Sequence, residues 1–282
     1  MPFNCKQVLT RVCGLAGVVA VAMLLASGIA EAQRCGNTGA GFEGWVRDFR
    51  AAAARQGISQ RAISAGLDGV SYDQNIIRLD RNQRSFRLSF EEFYRRRVSS
   101  SLLSRGRQLM QTHSGLLSRI ERQYGVPPAI IISIWGLETN FGRDGAGGRS
   151  IPRSLATLAY DCRRSEFFTN ELMNALRIID RGDMTPAQLV GGWAGEIGPM
   201  QFLPSSYVRY AVDFDGDGRR NLMTSIPDML ASTANYLKVR GGWQAGQGWQ
   251  PGSRNYNAIR EWNKAEVYVR TIATMADRLA SR

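Results

Sequence analysis

Gly41-Phe42-Glu43-Gly44-Trp45-Val46-Arg47-Asp48-Phe49-Arg50-Ala51-Ala52-Ala53 sets the pattern for the whole chain: Phe42, Trp45, Val46, Phe49 and Ala53 recur at the three- and four-residue spacing of one helix face. From Gly41 onward no stretch shows sustained strand alternation, so the sequence predicts a predominantly helical, all-α fold. The spacing places helices over about 41–56, 59–66, 83–97, 100–124, 127–140, 165–181, 225–240 and 264–280. Ser59 reads as an N-cap, and Pro127-Pro128 opens a helix where a missing N–H costs least. Gly142, Gly145, Gly147 and Gly148 close that helix, and Gly191-Gly192 and Gly241-Gly242 mark further loops.

At 282 residues, with 44% hydrophobic and 21% charged side chains, the chain has the composition of a globular protein large enough to hold its own core. Its first stretch is set apart. Lys6 and Arg11 precede an apolar run from Gly14 to about Ala26, and Ala30-Glu31-Ala32 follows, the arrangement of a secretory leader cleaved after Ala32. The competing reading is a membrane anchor, but the run is shorter than the roughly 20 residues a spanning helix needs. Cys35 follows Ala32-Gln33-Arg34, which does not form a lipid-attachment signal. A soluble, exported, periplasmic protein is the expectation.

The formal charge is +12, and loss of Lys6, Arg11 and Glu31 with the leader lowers it to +11. Such a surface suits an anionic partner. An exported protein rarely meets nucleic acid, whereas cell-wall polymers carry peptide carboxylates; a solvated basic surface without a specific partner is the alternative. Two cysteines, Cys35 and Cys162, remain beyond the leader. An even pair outside the cytoplasm suggests one disulfide, worth about 4 kcal/mol by loop closure, against the reading of two buried thiols.

The one histidine, His113, excludes a two-histidine zinc motif and leaves little room for a Ser-His-Asp triad. Carboxylates are the natural acid–base candidates. Glu138 ends a helix whose preceding turns are almost wholly apolar, Ile130, Ile131, Ile132, Ile134, Trp135 and Leu137. Partial desolvation there raises a carboxyl pKa toward neutrality, the state a general acid needs. A structural ion pair, for example with Arg143, is the alternative.

Glu138-Thr139-Asn140-Phe141-Gly142, Ser154-Leu155-Ala156-Thr157-Leu158-Ala159, the run from Trp193 to Ser206 (WAGEIGPMQFLPSS) and Tyr210-Ala211-Val212-Asp213 closely resemble the lytic murein transglycosylase B family, in order and spacing. The likeness extends from about Gly41 to Leu279. It implies a lysozyme-like catalytic core with additional helices and an EF-hand-like loop. The catalytic region would be 33–282, its core about 120–240, preceded by a helical part over 41–119 and closed by helices over 254–280. The implied reaction is cleavage of the MurNAc-β-1,4-GlcNAc bond of peptidoglycan to a 1,6-anhydromuramyl end, requiring no cofactor. Glu138 matches the family's catalytic glutamate, acting as acid and then as base. A typical glycosidase uses two carboxylates; here an intramolecular C6 hydroxyl, present at high effective concentration, replaces water.

The same resemblance puts Met200, Gln201, Phe202, Tyr236, Asn263 and Tyr268 among the sugar-binding residues. Ala265 and Gly192 stand where that family commonly carries serine, which puts one or two substrate hydrogen bonds in doubt. Glu196 is open between a second catalytic carboxylate and a structural or subsite role.

Asp213-Phe214-Asp215-Gly216-Asp217-Gly218 opens like an EF-hand calcium loop, with oxygen ligands at positions 1, 3 and 5 and glycine at 6. Arg219 falls at position 7. Position 12 is Thr224, which cannot supply a bidentate carboxylate, and Asp228 matches an aspartate of the resembling family's longer loop. A structural Ca2+ held by Asp213, Asp215, Asp217, Arg219 and Asp228 is the expectation, against a solvated Asp-Gly turn. The rival functions are a water-using, lysozyme-type muramidase and a noncatalytic wall- or calcium-binding scaffold. Peptidoglycan strands and cell-wall enzyme assemblies are the implied partners; nucleic acid and a stable membrane anchor are not.

Overall fold

Serine and aspartate begin most of the helices in the computed structural model, which describes residues 35–82, 88–145 and 147–281. The leader sequence lies outside the described residues. In chain order the helices are α1 (Phe42–Arg55), α2 (Gln60–Leu67), α3 (Gln74–Arg81), α4 (Phe90–Arg97), α5 (Ser100–Thr112), α6 (Ser114–Tyr124), α7 (Pro128–Thr139), α8 (Ile151–Tyr160), α9 (Ser165–Asp180), α10 (Pro204–Tyr210), α11 (Ile226–Val239), α12 (Arg254–Trp262) and α13 (Glu266–Ala280). Ser59, Asp73, Ser89, Ser99, Ser150, Ser225 and Ser253 each accept a backbone N–H of the helix they cap.

The all-α expectation stands, with corrections at the helix boundaries. The run over 100–124 is two helices, α5 and α6, because the chain turns at His113, which closes one and opens the other beside Ser114-Gly115. Of the span over 83–97, residues 83–87 lie outside the described residues and α4 starts behind the Ser89 cap. Helices α3, α8 and α10 were not anticipated. The described residues pack as one compact unit.

Helix α7 is apolar on every face, and Ala129 through Leu137 are buried. Such a helix must be surrounded, and α5, α6, α11 and α13 enclose it. A second cluster joins α8, α9, α10 and α2. Phe42, Trp45 and Tyr72 pack around Tyr160 at 5.6–6.2 Å between ring centres, fastening α1 to α8. Nearby, Cys35 and Cys162 form a disulfide.

Asp80 is buried beside the guanidinium groups of Arg81, Arg163 and Arg164, while Arg81 also clamps Asp161 with both oxygens at 2.8–2.9 Å. Burial pushes the Asp80 pKa up, but the hydrogen bonds and charges of Arg163 and Arg164 outweigh it and hold the group below its ordinary value. This network ties α3 to the turn between α8 and α9. A two-residue ladder, β1 (Arg149–Ser150) against β2 (Val190–Gly191), then leads the chain through bridges Gly191–Ile197 and Ile197–Phe202. Those bridges fold residues 191–202 back against the end of α7.

Candidate active site

Glu138 lies in the last turn of α7, and three consecutive left-handed residues, Asn140, Phe141 and Gly142, reverse the chain immediately after it. Two of the three carry side chains that disfavour positive φ, so the reversal must be held from outside. Packing does this. The Phe141 ring meets Trp135 edge-on at 5.6 Å and fills a notch where a Cβ on Gly136 would lie 2.8 Å from it. Thr139, buried, donates its hydroxyl to the Pro199 carbonyl at 2.7 Å and accepts the Gly142 N–H at 3.0 Å. One hydroxyl therefore fixes the turn and links α7 to the loop carrying Glu196 and Gln201.

The Glu138 carboxylate is held by groups from the chain's other end. Trp262 Nε1 donates to Oε1 at 2.9 Å, and the Tyr268 hydroxyl is a second partner. Arg97 donates to the neighbouring Leu137 carbonyl and to Tyr268. Burial raises the Glu138 pKa; the Trp262 and Tyr268 hydrogen bonds and the Arg97 charge oppose it, and Glu196 adds to it, leaving the pKa raised from 4.5. Tyr268, buried and beside Glu138, is itself raised well above 10, so its hydroxyl stays a donor.

Glu138 opens on a cavity of about 300 Å³ lined by Glu196, Gln201, Phe202, Leu203, Ser206, Tyr236, Trp262 and Asn263. Phe202, Tyr236 and Trp262 form an aromatic box, their ring centres 5.2–6.1 Å apart and edge-on. Gln201 sits at φ 55° with its amide donating to the Gly198 carbonyl at 2.9 Å. Tyr236 donates to the Glu261 carbonyl at 2.8 Å, and Asn263 Oδ1 accepts the Ala265 N–H at 2.9 Å, capping the approach to α13. Two residues sit differently from the expectation. Met200 is fully buried and outside the lining, because the bridge between Ile197 and Phe202 turns it into the core. Tyr268 is also buried and meets the site from behind, through Glu138.

Burial raises the Glu196 pKa, opposed by its own backbone N–H, that of Ala194 and the charge of Arg164. Behind it, buried Glu171 accepts the Ser205 N–H and hydroxyl at 2.8 and 2.7 Å, capping the start of α10.

In the acidic loop, Asp213, Asp215 and Asp217 bring one carboxylate oxygen each within 4.8 Å of the others, all at the surface. Asp213 also accepts the Gly216 and Gly218 N–H groups, and Asp217 the Arg219 N–H. Asp228 stands apart: it is fully buried, with Oδ1 accepting the Phe214 and Asp215 N–H groups and Oδ2 that of Asn221 at 2.8 Å. It braces the loop through its backbone, outside the cluster of the other three carboxylates. The trio fits a hard cation and the second half of the loop adds no carboxylate to it.

A family profile described as the transglycosylase SLT domain matches residues 41–253. The chain belongs to that family. This transglycosylase-family protein is similar to membrane-bound lytic murein transglycosylase B of Escherichia coli K12, 45% identical over 131 residues, which are 46% of this chain and 36% of the relative. The similarity thus spans little more than a third of that relative's length. Among solved structures it is similar to SltB3 of Pseudomonas aeruginosa in complex with NAG-NAM-pentapeptide, with TM-score 0.79 and 29% identity over 86% of this chain and 80% of that one. It is similar also to the Escherichia coli lytic transglycosylase Slt35 in complex with calcium, with TM-score 0.73 and 25% identity over 88% and 96%. Among the described residues no helix is long and apolar enough to cross a membrane.

Sequence reasoning missed Arg97, Trp262, Leu203 and Ser206 as parts of this site. For Trp262 a signal existed, an aromatic directly before Asn263; for Arg97, one of three consecutive arginines, none did.

Proposed function

We infer that this transglycosylase-family protein cleaves peptidoglycan glycan strands non-hydrolytically, with Glu138 as its acid and base. The observation that carries this reading is the Glu138 carboxyl group, held by Trp262 and Tyr268 in the wall of an aromatic-lined cavity, where burial favours its protonated form. Protonated Glu138 gives its proton to the glycosidic oxygen as the C1–O bond breaks. The resulting carboxylate, supported by Trp262 and Tyr268, takes the proton of the muramyl C6 hydroxyl as O6 bonds to C1. Glu138 is thereby restored and the product ends in a 1,6-anhydro ring. Gln201, Phe202, Tyr236 and Asn263 form the sugar subsites, with Met200 and Tyr268 supporting them from within.

A hydrolytic muramidase is the second reading, favoured by Glu196 as another carboxylate in the same cavity. Mass spectrometry of digested sacculi separates the two: anhydromuramyl ends are expected, and reducing muramic acid ends alone would overturn the assignment. Glu138→Gln should bind sacculi while losing nearly all solubilising activity.

The acidic trio would hold a structural calcium ion, supported by its geometry and by the calcium complex of Slt35. Addition of Ca2+ to chelator-treated protein should raise Tm, and an unchanged Tm would remove the metal from the reading. Cleavage after Ala32 and export to the periplasm complete the proposal, with residues 33–282 as the catalytic region; the N-terminal sequence of the secreted protein tests the cleavage point.

A further inference from the structure

Gly192 and Glu196 occupy one another's space. A Cβ built on Gly192 would lie 2.2 Å from Glu196 Oε2 and 3.0 Å from its Cδ, so the carboxylate can stand where it does only because residue 192 has no side chain. The turn between them is tight, with Gly192 donating to the Glu196 carbonyl at 2.9 Å and Gly195 to the Gly192 carbonyl at 3.2 Å. Within it, Ala194 N–H fixes Oε2 at 3.0 Å. No side-chain donor among the described hydrogen bonds reaches the carboxylate, and Arg164 acts on it through charge alone. Yet Glu196 lines the cavity with Glu138, Gln201 and Asn263. The backbone N–H groups of Ala194 and of Glu196 itself occupy part of the carboxylate, which offers about four acceptor positions, so its cavity side has room for further donors. N-acetylated sugars are rich in the missing groups, hydroxyls and acetamido N–H.

We propose that Glu196 is a substrate-binding residue that accepts a hydrogen bond from an acetamido N–H or hydroxyl of the sugar beside the scissile bond, in a subsite that Gly192 keeps open. The assignment rests on the sugar-cleaving reading of the site. It gives the second carboxylate a binding role and not that of a base acting on water.

The test measures oligosaccharide affinity and turnover separately. In a Glu138→Gln background, isothermal titration with a GlcNAc–MurNAc oligomer should show Kd weakened about tenfold by Glu196→Ala, the low end for a hydrogen bond to a charged group. Glu196→Gln, which keeps an acceptor oxygen and the Ala194 contact, should lose less. Gly192→Ala should reproduce the loss, and the double variant Gly192→Ala/Glu196→Ala should add nothing further. With Glu138 intact, Glu196→Ala should raise KM and leave the products as anhydro ends.

A loss of affinity at wild-type Tm distinguishes this from a brace of the loop, and the pH profile checks that the two carboxylates share one cavity. Glu138 faces Arg97, Tyr268, Trp262 and Glu196, and Glu196 faces Glu138 and Arg164. Removing the like charge lowers the Glu138 pKa, so the alkaline limb of kcat/KM should move to lower pH.

Unchanged Kd in both Glu196 variants would overturn the proposal, as would additive losses in the double variant. Reducing ends made by the wild-type protein and abolished by Glu196→Gln would make Glu196 a water-activating base and overturn it too. Because Kd is read in the inactive background, it stands whatever the wild-type products turn out to be.

Discussion

Replacing Trp262 with phenylalanine removes the N–H-bearing half of the indole and keeps one six-membered aromatic ring in the box. The indole stands 5.3 and 5.2 Å from Phe202 and Tyr236, and the smaller ring keeps an apolar contact there while the N–H that reaches Glu138 Oε1 at 2.9 Å is lost. Hydrogen bonds to charged groups contribute about 1.5–3 kcal/mol, and the half-exposed indole places this one near the low end. About 1.5 kcal/mol is roughly a tenfold change in the ratio of protonated to ionised carboxyl at a given pH. The bond favours the anion, so its loss raises the Glu138 pKa and the acid survives to higher pH. The alkaline limb of kcat/KM, followed on soluble muropeptides, should therefore move upward, while kcat falls because the carboxylate that accepts the C6 proton in the proposed reaction has lost a donor. An alkaline limb that stayed in place or moved downward, in a variant with wild-type Tm, would refute the assignment of Trp262 to the charge of Glu138.

Glu138→Gln should be more stable than the wild type in a pH-dependent way. The folded pKa of Glu138 is raised, so its contribution to stability is present below 4.5 and is lost as pH rises through the folded value. The Tm advantage of the variant should open above pH 4.5 and level off once Glu138 is ionised in both states, and a constant difference by scanning calorimetry would contradict this. Thr139→Val strands the Pro199 carbonyl and the Gly142 N–H, costing about 2 kcal/mol or more; Tm should fall by roughly 4–8 °C and kcat with it, and full activity would dissociate the bridge from the site. Cys35→Ser/Cys162→Ser opens a loop of 127 residues, for which chain entropy predicts up to about 5 kcal/mol of lost stability, read from denaturant midpoints that a reducing agent should also lower in the wild type.

The fold was legible wherever a helix advertised its own burial. Helix α7 is a run of isoleucines behind two prolines, and α1 shows a clean apolar stripe. Helix α3 was hidden because its inward face is Ile76, Ile77 and a charged Asp80, which the sequence alone reads as solvent-facing; only the arginines of the α8–α9 turn make that burial tolerable. The break at His113 left the apolar period uninterrupted, so periodicity joined α5 to α6. For the site, Glu138 combined an apolar neighbourhood with a recognisable motif. Its partners did not, since Trp262 lies 124 residues away and hydrogen bonds across such a separation leave no local pattern. Met200 shared the motif with Gln201 and Phe202 but not their orientation, which the backbone bridge decides.

In the proposed mechanism Glu138 serves as acid and then as base, so it must be held between two extremes. Full burial with no donors would make Glu138 a group that never ionises, and a cage of cations would make it one that never protonates. The structure supplies both pressures from different parts of the chain. Burial in the wall and the like charge of Glu196 favour the proton, whereas Trp262, Tyr268 and Arg97 favour its loss. These opposing groups arrive on α4, on α12 and α13, and on the 191–202 loop, so the proton affinity of one carboxylate depends on segments far apart in the chain. Thr139 joins α7 to one of those segments, the 191–202 loop, one residue from the carboxylate they govern. A single acid–base residue can replace the usual pair only where the scaffold sets its balance this closely, which is why substitutions in Trp262 and Glu196 should displace the pH profile in opposite directions.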